Sequence, residues 1–315
     1  MEVVRLLRGL GLTVLVVLLL ADLLVGLVGL GVRTTALSPG FVLRTVDRVG
    51  FYDVIRTAAV DAFAPSPELL GATGAKAMRT AIENAFTPAL IREQAQVLIP
   101  KALDLVRNPP DKPQLTLDLT KFRQNLSTSI DQEAKKIGAP SWQVAVVKAE
   151  VNSQIPKQID VLGEGGLTRA NLVEASRYYR YYSRGLLAAS GLAVVLGLFI
   201  FLLAGRRYWG QWLGAPVLTA GLAVAVASFL AGKWVAPILA DIQRSGSPMA
   251  GVSAKTIAGM VQGAAAAVQS QFLLIGLVGA LVGIGLWVLG AMTARRARAT
   301  PPVAPPTGAG TATPA

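Results

Sequence analysis

Asp22 stands inside "VVLLLADLLVGLVGLG", residues 16–31, the one carboxylate in an otherwise apolar run. An acid at such a depth can line a transport path, serve a catalytic pair, or knit helices through polar contacts. Intramembrane aspartyl proteolysis needs two membrane carboxylates, and this chain offers one. Transport draws as a rule on more intramembrane polar groups than are seen here.

Other chemistry is narrowed by what is missing. The chain has no histidine and no cysteine. That removes the usual general base near neutral pH and the commonest metal ligand, together with thiol catalysis, disulfides and thiolate metal sites. "GATGAK", residues 71–76, has the flavour of a phosphate loop but not its spacing, because Lys76 is followed by Ala77 in place of Ser or Thr. A loop joining helices is expected there. Glu83, Glu93, Asp104 and Asp131 are strung along amphipathic patterns and read as solvated acids. No cofactor or metal site is expected, and nothing points to nucleic acid as a partner.

The elements that must hold Asp22 are apolar and long. Of 315 residues, 53% are hydrophobic and 15% charged, where soluble domains carry roughly a quarter of charged residues. Four segments, about 10–31, 185–204, 213–235 and 272–292, reach the roughly 20 apolar residues that cross a bilayer core of about 30 Å. Asp22 does not prevent insertion of the first. A central acid costs about 2.5–3.5 kcal/mol, whereas each Leu or Val contributes about −0.3 to −0.6. Residues 10–30 hold fifteen Leu and Val, roughly −4.5 to −9 kcal/mol in sum.

Leu15, Leu18, Asp22, Gly26 and Gly29 recur at helical spacing and share a face, and glycines on that face allow close backbone approach. Counting inward from the span ends puts Ser190 and Ser228 at a depth similar to Asp22, with Lys233 nearer the surface. The reading is a polar layer of Asp22, Ser190, Ser228 and Lys233 that ties the spans together.

Basic residues flanking the spans set orientation, because Lys and Arg are retained in the cytoplasm. Arg5 and Arg8 precede the first span, Arg206 and Arg207 join the second to the third, and Arg295, Arg296 and Arg298 follow the fourth. Both termini are therefore expected in the cytoplasm of a multi-pass plasma-membrane protein. The first span is too long for the apolar core of a cleaved leader and reads as a retained signal anchor.

Residues 32–184 then form an extracytoplasmic domain with 20 basic and 15 acidic residues, a net of +5. Leu119, Phe122, Leu126, Ile130, Ala134 and Ile137 line one helix face, with Asp118 as N-cap and Gly138 and Pro140 as the stop. Val144, Val147, Val151, Ile155 and Ile159 extend the pattern across a kink at Pro156. Earlier helices are expected to break at Pro88 and Pro100, and "QLTLDL" alternates like one short strand. In "EASRYYRYYSRG", Tyr178, Tyr179, Tyr181 and Tyr182 surround Arg180 where the second span begins, which is the composition of an interfacial anchor.

The expected fold is all-α: four transmembrane helices with a large, mostly helical extracytoplasmic domain inserted between helices 1 and 2. In order, the chain divides into a cytoplasmic N-terminus with the first span (1–31), the domain (32–184), spans two and three (185–204, 213–235), a short extracytoplasmic loop with an amphipathic helix (236–271), span four (272–292) and a disordered cytoplasmic tail (293–315).

"ALSPGFVLRTVDRVGFYDVI", "ALIREQAQVLIPKALDLV" and "QLTLDLTKFRQNL" resemble a group of uncharacterised prokaryotic integral membrane proteins with one N-terminal span, a large extracytoplasmic helical domain and closing spans. That resemblance implies the same topology and carries no functional residue. The expected function is non-enzymatic: the domain binds, senses or scaffolds an envelope component, whether protein, lipid or polymer, beside the lipid bilayer itself. The alternative is a small transporter or channel component that forms a pathway by homo-oligomerisation, with Asp22 lining it.

Overall fold

The computed structural model describes residues 2–63, 67–110, 113–164, 169–205, 208–245 and 252–299. The described chain is all-α apart from one small ladder. Its helices are α1 (Glu2–Thr34), α2 (Pro39–Arg48), α3 (Phe51–Phe63), α4 (Pro67–Ala85), α5 (Pro88–Arg107), α6 (Thr120–Ile137), α7 (Ser141–Gln154), α8 (Val161–Glu164), α9 (Arg169–Ala204), α10 (Trp209–Ser245) and α11 (Ala254–Ala299). Strands β1 (Thr116–Asp118) and β2 (Gln158–Asp160) pair antiparallel, with Leu117 opposite Ile159.

Four helices, α1, α9, α10 and α11, are long and apolar enough to cross a membrane. They are longer than the apolar runs alone suggest. α11 has 46 residues, about 69 Å at helical rise, more than twice the hydrocarbon thickness. Of residues 236–271, expected as a short loop with an amphipathic helix, 236–245 continue α10 and 254–271 are the first turns of α11. Alanine, glycine and glutamine keep a helix going after the hydropathy has dropped. Residues 293–299 likewise continue α11; the rest of the expected tail lies outside the described residues.

The chain divides into two compact units. One comprises 1–27, 188–225 and 274–315; the other 28–187 and 226–273. In the first unit, Leu12 and Leu19 of α1 pack on Leu196, Ile200 and Ala204 of α9, with Leu15, Leu23, Trp212 and Leu213 around them. α10 and α11 meet there along a seam of glycines. A Cβ on Gly221 would lie 2.3 Å from the Ala280 backbone nitrogen, and one on Gly283 would lie 2.3 Å from that of Leu218. Only glycine permits such approach, and Gly276, Gly283 and Gly290 recur every seven residues, the repeat of left-handed antiparallel packing. Outward, the four long helices are greasy. Val14, Val25, Leu187, Val194, Phe229 and Leu281 are each more than half exposed, and only 11% to 39% of each apolar window is buried within the protein. Such a surface is stable only against acyl chains.

The second unit has its own core. Val60, Ala81, Ile82, Leu90, Phe122, Leu126, Ile130 and Ile155 are buried together, and the Phe86 and Phe122 rings stack with centroids 3.9 Å apart. α6 is the central element, held against α4 on one side and α7 on the other. Local sequence sets its ends with small departures from expectation. The residue at the N-cap position is Leu119, and Asp118, one residue earlier, accepts the Thr120 N–H at 2.8 Å. The Thr120 hydroxyl and then this N–H hold the Asp118 carboxyl below the usual range. Gly138 takes the left-handed conformation at φ 69° and closes α6 as expected.

Prolines act unevenly. Pro88 opens α5, capped by the Thr87 hydroxyl, while Pro100 lies inside α5 without ending it. Pro156 does more than kink: α7 stops at Gln154, and the following residues pair as β2. Gly50, φ 68°, separates α2 from α3.

Candidate functional site

The second unit carries an open groove of about 580 Å³ between α4, α6 and α7. Its apolar walls come from Met78, Ile130, Ile137, Trp142, Val144 and Val147. α7 makes the groove because it is apolar on more than one side. Val144 and Val147 turn to the core, while Trp142 and Val146 are 65% and 61% exposed. The Gly138-Ala139-Pro140 turn between α6 and α7 forms one end, and the first regular turn of α4, with Thr73 and Gly74, lines the other side. α4 itself bends at Gly71, φ 67°. "GATGAK" is thus the bend and following turn of a helix.

One acid lines this groove. Glu133 is buried, and its Oε1 accepts from Lys136 Nζ at 2.6 Å while the lysine side chain stays 68% exposed. Sequence reasoning passed over Glu133, although the signal was present: it falls at the place on the α6 stripe, three after Ile130 and seven after Leu126, where an apolar residue belongs. Trp142, at the mouth, was also missed. A concave, mostly apolar site with one convergent polar group is the usual form of a small-molecule pocket.

Several other acids of the domain are ion-paired or locally bonded. Glu83 and Asp61 meet Arg79, Glu93 meets Lys121, Asp131 meets Lys148, and Asp47 meets Arg92. Asp104 accepts from the Asn108 side chain. No group of three or more His, Cys, Asp or Glu able to hold a metal ion occurs among the described residues.

The proposed intramembrane residues divide between the units. Asp22, half-buried on α1, has its Oδ2 buried with no hydrogen-bond partner among the described residues. Of its predicted stripe, Leu15 packs in the core, Leu18 is 51% exposed and Gly26 has open space beside it. The face of α1 that packs in this unit is therefore Leu12, Leu15, Leu19 and Leu23. Ser190 is exposed on α9. In the second unit, Ser228 is buried and its hydroxyl donates to the Gln269 carbonyl at 2.7 Å, while Lys233 is exposed. Gln269 was not foreseen.

The tyrosine cluster splits by helix face. Tyr178 and Tyr181 are 64% and 67% exposed. Tyr179 and Tyr182 turn inward with centroids 6.4 Å apart, and the Tyr182 hydroxyl donates to the Gly29 carbonyl of α1. Of the flanking arginines, Arg295 is exposed on α11. Arg206 and Arg207 lie outside the described residues. Arg5, Arg8, Arg296 and Arg298 are described only as helical backbone of α1 and α11.

Four helices of this kind define the class as a multi-pass membrane protein. Beyond that class, the sequence matches no family model, and neither a curated protein nor a solved structure shows significant similarity to it.

Proposed function

We propose that the chain is a non-enzymatic integral plasma-membrane protein whose helical domain, residues 32–184, faces the envelope and binds one of its components. The resemblance to prokaryotic proteins of that layout supports the topology, as do the arginines at 5, 8, 206, 207, 295, 296 and 298. The observation that carries the reading is the groove between α4, α6 and α7. Its apolar walls suit a hydrocarbon chain, and Glu133, with Thr73 and Gln143, supplies polar atoms for a head group. The occupant is therefore an amphiphile of the envelope. The pairing of Asp47, Asp61, Glu83, Glu93, Asp131 and Glu133 with cations favours binding over acid–base catalysis, which needs carboxylates free to face a substrate.

A photo-crosslinker attached to Val146→Cys tests this in intact membranes, since the chain has no other cysteine. The expected result is capture of an amphiphile, identified by mass spectrometry, that is lost when Ala134→Trp fills the groove. Capture indistinguishable from that by a label at exposed Val97 would sink the proposal.

A second reading, a small transporter or channel component assembled from several copies, draws on Asp22, whose Oδ2 has no partner among the described residues. The other use of the same carboxylate is a structural polar contact packed away from water. Asp22→Cys decides between them: a water-filled path makes it reactive to a soluble thiol reagent, and a packed layer keeps it silent.

A further inference from the structure

We propose that the rim where α1, α9 and α10 change from greasy to polar binds anionic phospholipid headgroups, through Arg33, Arg180, Arg184 and Lys233. Packing within the second unit ties these helices to one another, with the cations at successive heights along them. Tyr182 of α9 bonds to Gly29 of α1, and a Cβ on Gly29 would lie 2.7 Å from Leu186 Cδ1. A Cβ on Gly31 would lie 2.3 Å from the Phe272 ring of α11. Three residues before Phe272, Gln269 receives the Ser228 hydroxyl of α10. Arg33 stands two residues beyond Gly31, Arg180 and Arg184 flank Tyr182, and Lys233 lies five residues beyond Ser228, about 7 Å of helical rise.

All four cations are exposed, and among the described residues none is in an ion pair. Elsewhere in the unit Arg79, Arg92, Lys121, Lys136 and Lys148 each hold an acid, whereas exposed Lys101, Lys135 and Lys157 are in no ion pair among the described residues; what sets the rim cations apart is the apolar surface beneath them. At the rim, Glu174 accepts from the Tyr178 hydroxyl at 3.3 Å. The rim cations are thus left facing outward without acids, beside the exposed rings of Tyr178 and Tyr181.

What lies one turn deeper identifies the anion. Leu30 is three residues below Arg33, Leu187 three below Arg184 and Leu230 three below Lys233, and they are 43%, 74% and 42% exposed. A partner that satisfies each of these pairs has a phosphate beside the cation and hydrocarbon directly beneath it. Guanidinium groups also match phosphate oxygens in bidentate fashion. A phospholipid with net negative charge fits; a soluble polyanion leaves the leucines uncovered. The inference holds for either leaflet and does not depend on the groove.

The test uses the full chain in a mild neutral detergent, with phosphatidylglycerol and phosphatidylcholine of identical acyl chains as probes and inorganic phosphate as the free-anion arm. Retained lipid is counted by native mass spectrometry, and thermal stability is measured in parallel. Phosphatidylglycerol should be retained preferentially and raise the melting temperature, the preference should shrink as salt is added, and phosphate should do neither. Each rim cation converted to Gln in R180Q, R184Q and K233Q should lower the preference about fivefold. R180K with R184K should keep most of it, and K101Q, K135Q and K157Q, which remove exposed charges elsewhere in the unit, should leave it intact. Equal retention of the two lipids by the native chain, a preference unmoved by salt, or an undiminished preference in the triple Gln variant would each overturn the proposal. Stabilisation by phosphate alone would reassign the rim to a free anion and overturn it as well. If the Gln variant does not fold, the native chain, its salt series and the Arg→Lys pair decide the question.

Discussion

The Ser228 hydroxyl donates to the Gln269 carbonyl at 2.7 Å, in the same antiparallel register that sets Gly221 against Gly276 and Gly214 against Gly283. Moving seven residues along α10 moves the partner seven residues back along α11. Ser228 is thus the polar member of a small-residue series, placed where a larger side chain would not fit. Ser228→Ala keeps the close approach and loses only the hydrogen bond. Interhelical bonds of this kind are worth about 0.6 kcal/mol on average and at most about 1.7. A small drop in melting temperature in detergent is expected. A drop as large as that of a core truncation would mean that Ser228 does more than bond Gln269.

The glycine seam makes a sharper prediction. At Gly221 an added methyl meets the backbone of Ala280 at 2.3 Å, and backbone cannot rotate away as a side chain does. Gly221→Ala must push α10 from α11 and should cost about 1–3 kcal/mol, the usual range for overpacking. Gly191 on α9 has nothing within 4 Å. There Gly191→Ala should be neutral or stabilising by up to about 1 kcal/mol, through helix propensity alone. Thermal melts of the two variants side by side check this, and equal stabilities would remove the seam as a stabilising element.

These pairs show which features could be read in the sequence and why others could not. The four long helices were legible because spanning requires a local run of apolar residues, and such runs need no knowledge of partners. The end of α6 at Gly138 was legible for the same local reason. Gln269 was not, because its role depends on Ser228, 41 residues away, and a glutamine near a span reads as surface. β2 was hidden similarly: a three-residue strand exists only through pairing with β1, and Ile155 and Ile159 also fit a helical stripe. α10 and α11 ran past their expected ends because hydropathy marks the membrane, while helix propensity and packing mark the helix. Asp22 drew notice by its chemical type, yet Glu133, an acid on an apolar stripe, stood out equally and was passed over.

Tyr52 of α3 gives a pH prediction. Its hydroxyl is buried and lacks a well-aligned hydrogen-bond partner. Burial first, then the nearby Asp47 carboxylate, push its pKa from 10.0 up to about 12, against the opposing pull of Arg92. The folded state therefore keeps the proton that the unfolded chain loses. Stability from this group is fully present below pH 10.0 and is lost as pH rises toward about 12, by roughly 2–3 kcal/mol. Tyr52→Phe should leave the melting temperature at neutral pH nearly unchanged, since no well-made bond is broken, and flatten its decline in alkali. An alkaline decline as steep as that of the native chain would show that other groups set it.

Orientation is the prediction on which the envelope reading depends, and the cations do not all argue one way. Along the sequence, Arg33, Arg180, Arg184 and Lys233 flank the apolar runs at the ends next to residues 32–184 and 236–271, whereas Arg5, Arg8, Arg206, Arg207 and Arg295 flank them at the other ends. The retention rule is weighted toward short loops and weakens for long translocated domains. The loop carrying Arg206 and Arg207 is short, whereas the domain-side arginines on α1 and α9 border a segment of about 150 residues. The weight therefore falls on the Arg206–Arg207 side as cytoplasmic. Val146→Cys and Thr307→Cys, introduced separately into the cysteine-free chain, check this with a membrane-impermeant maleimide on intact cells. Val146→Cys should label from outside, and Thr307→Cys only after the membrane is broken. The reverse pattern would place the groove in the cytoplasm, and the amphiphile proposed for it would have to come from the inner leaflet or the cell interior.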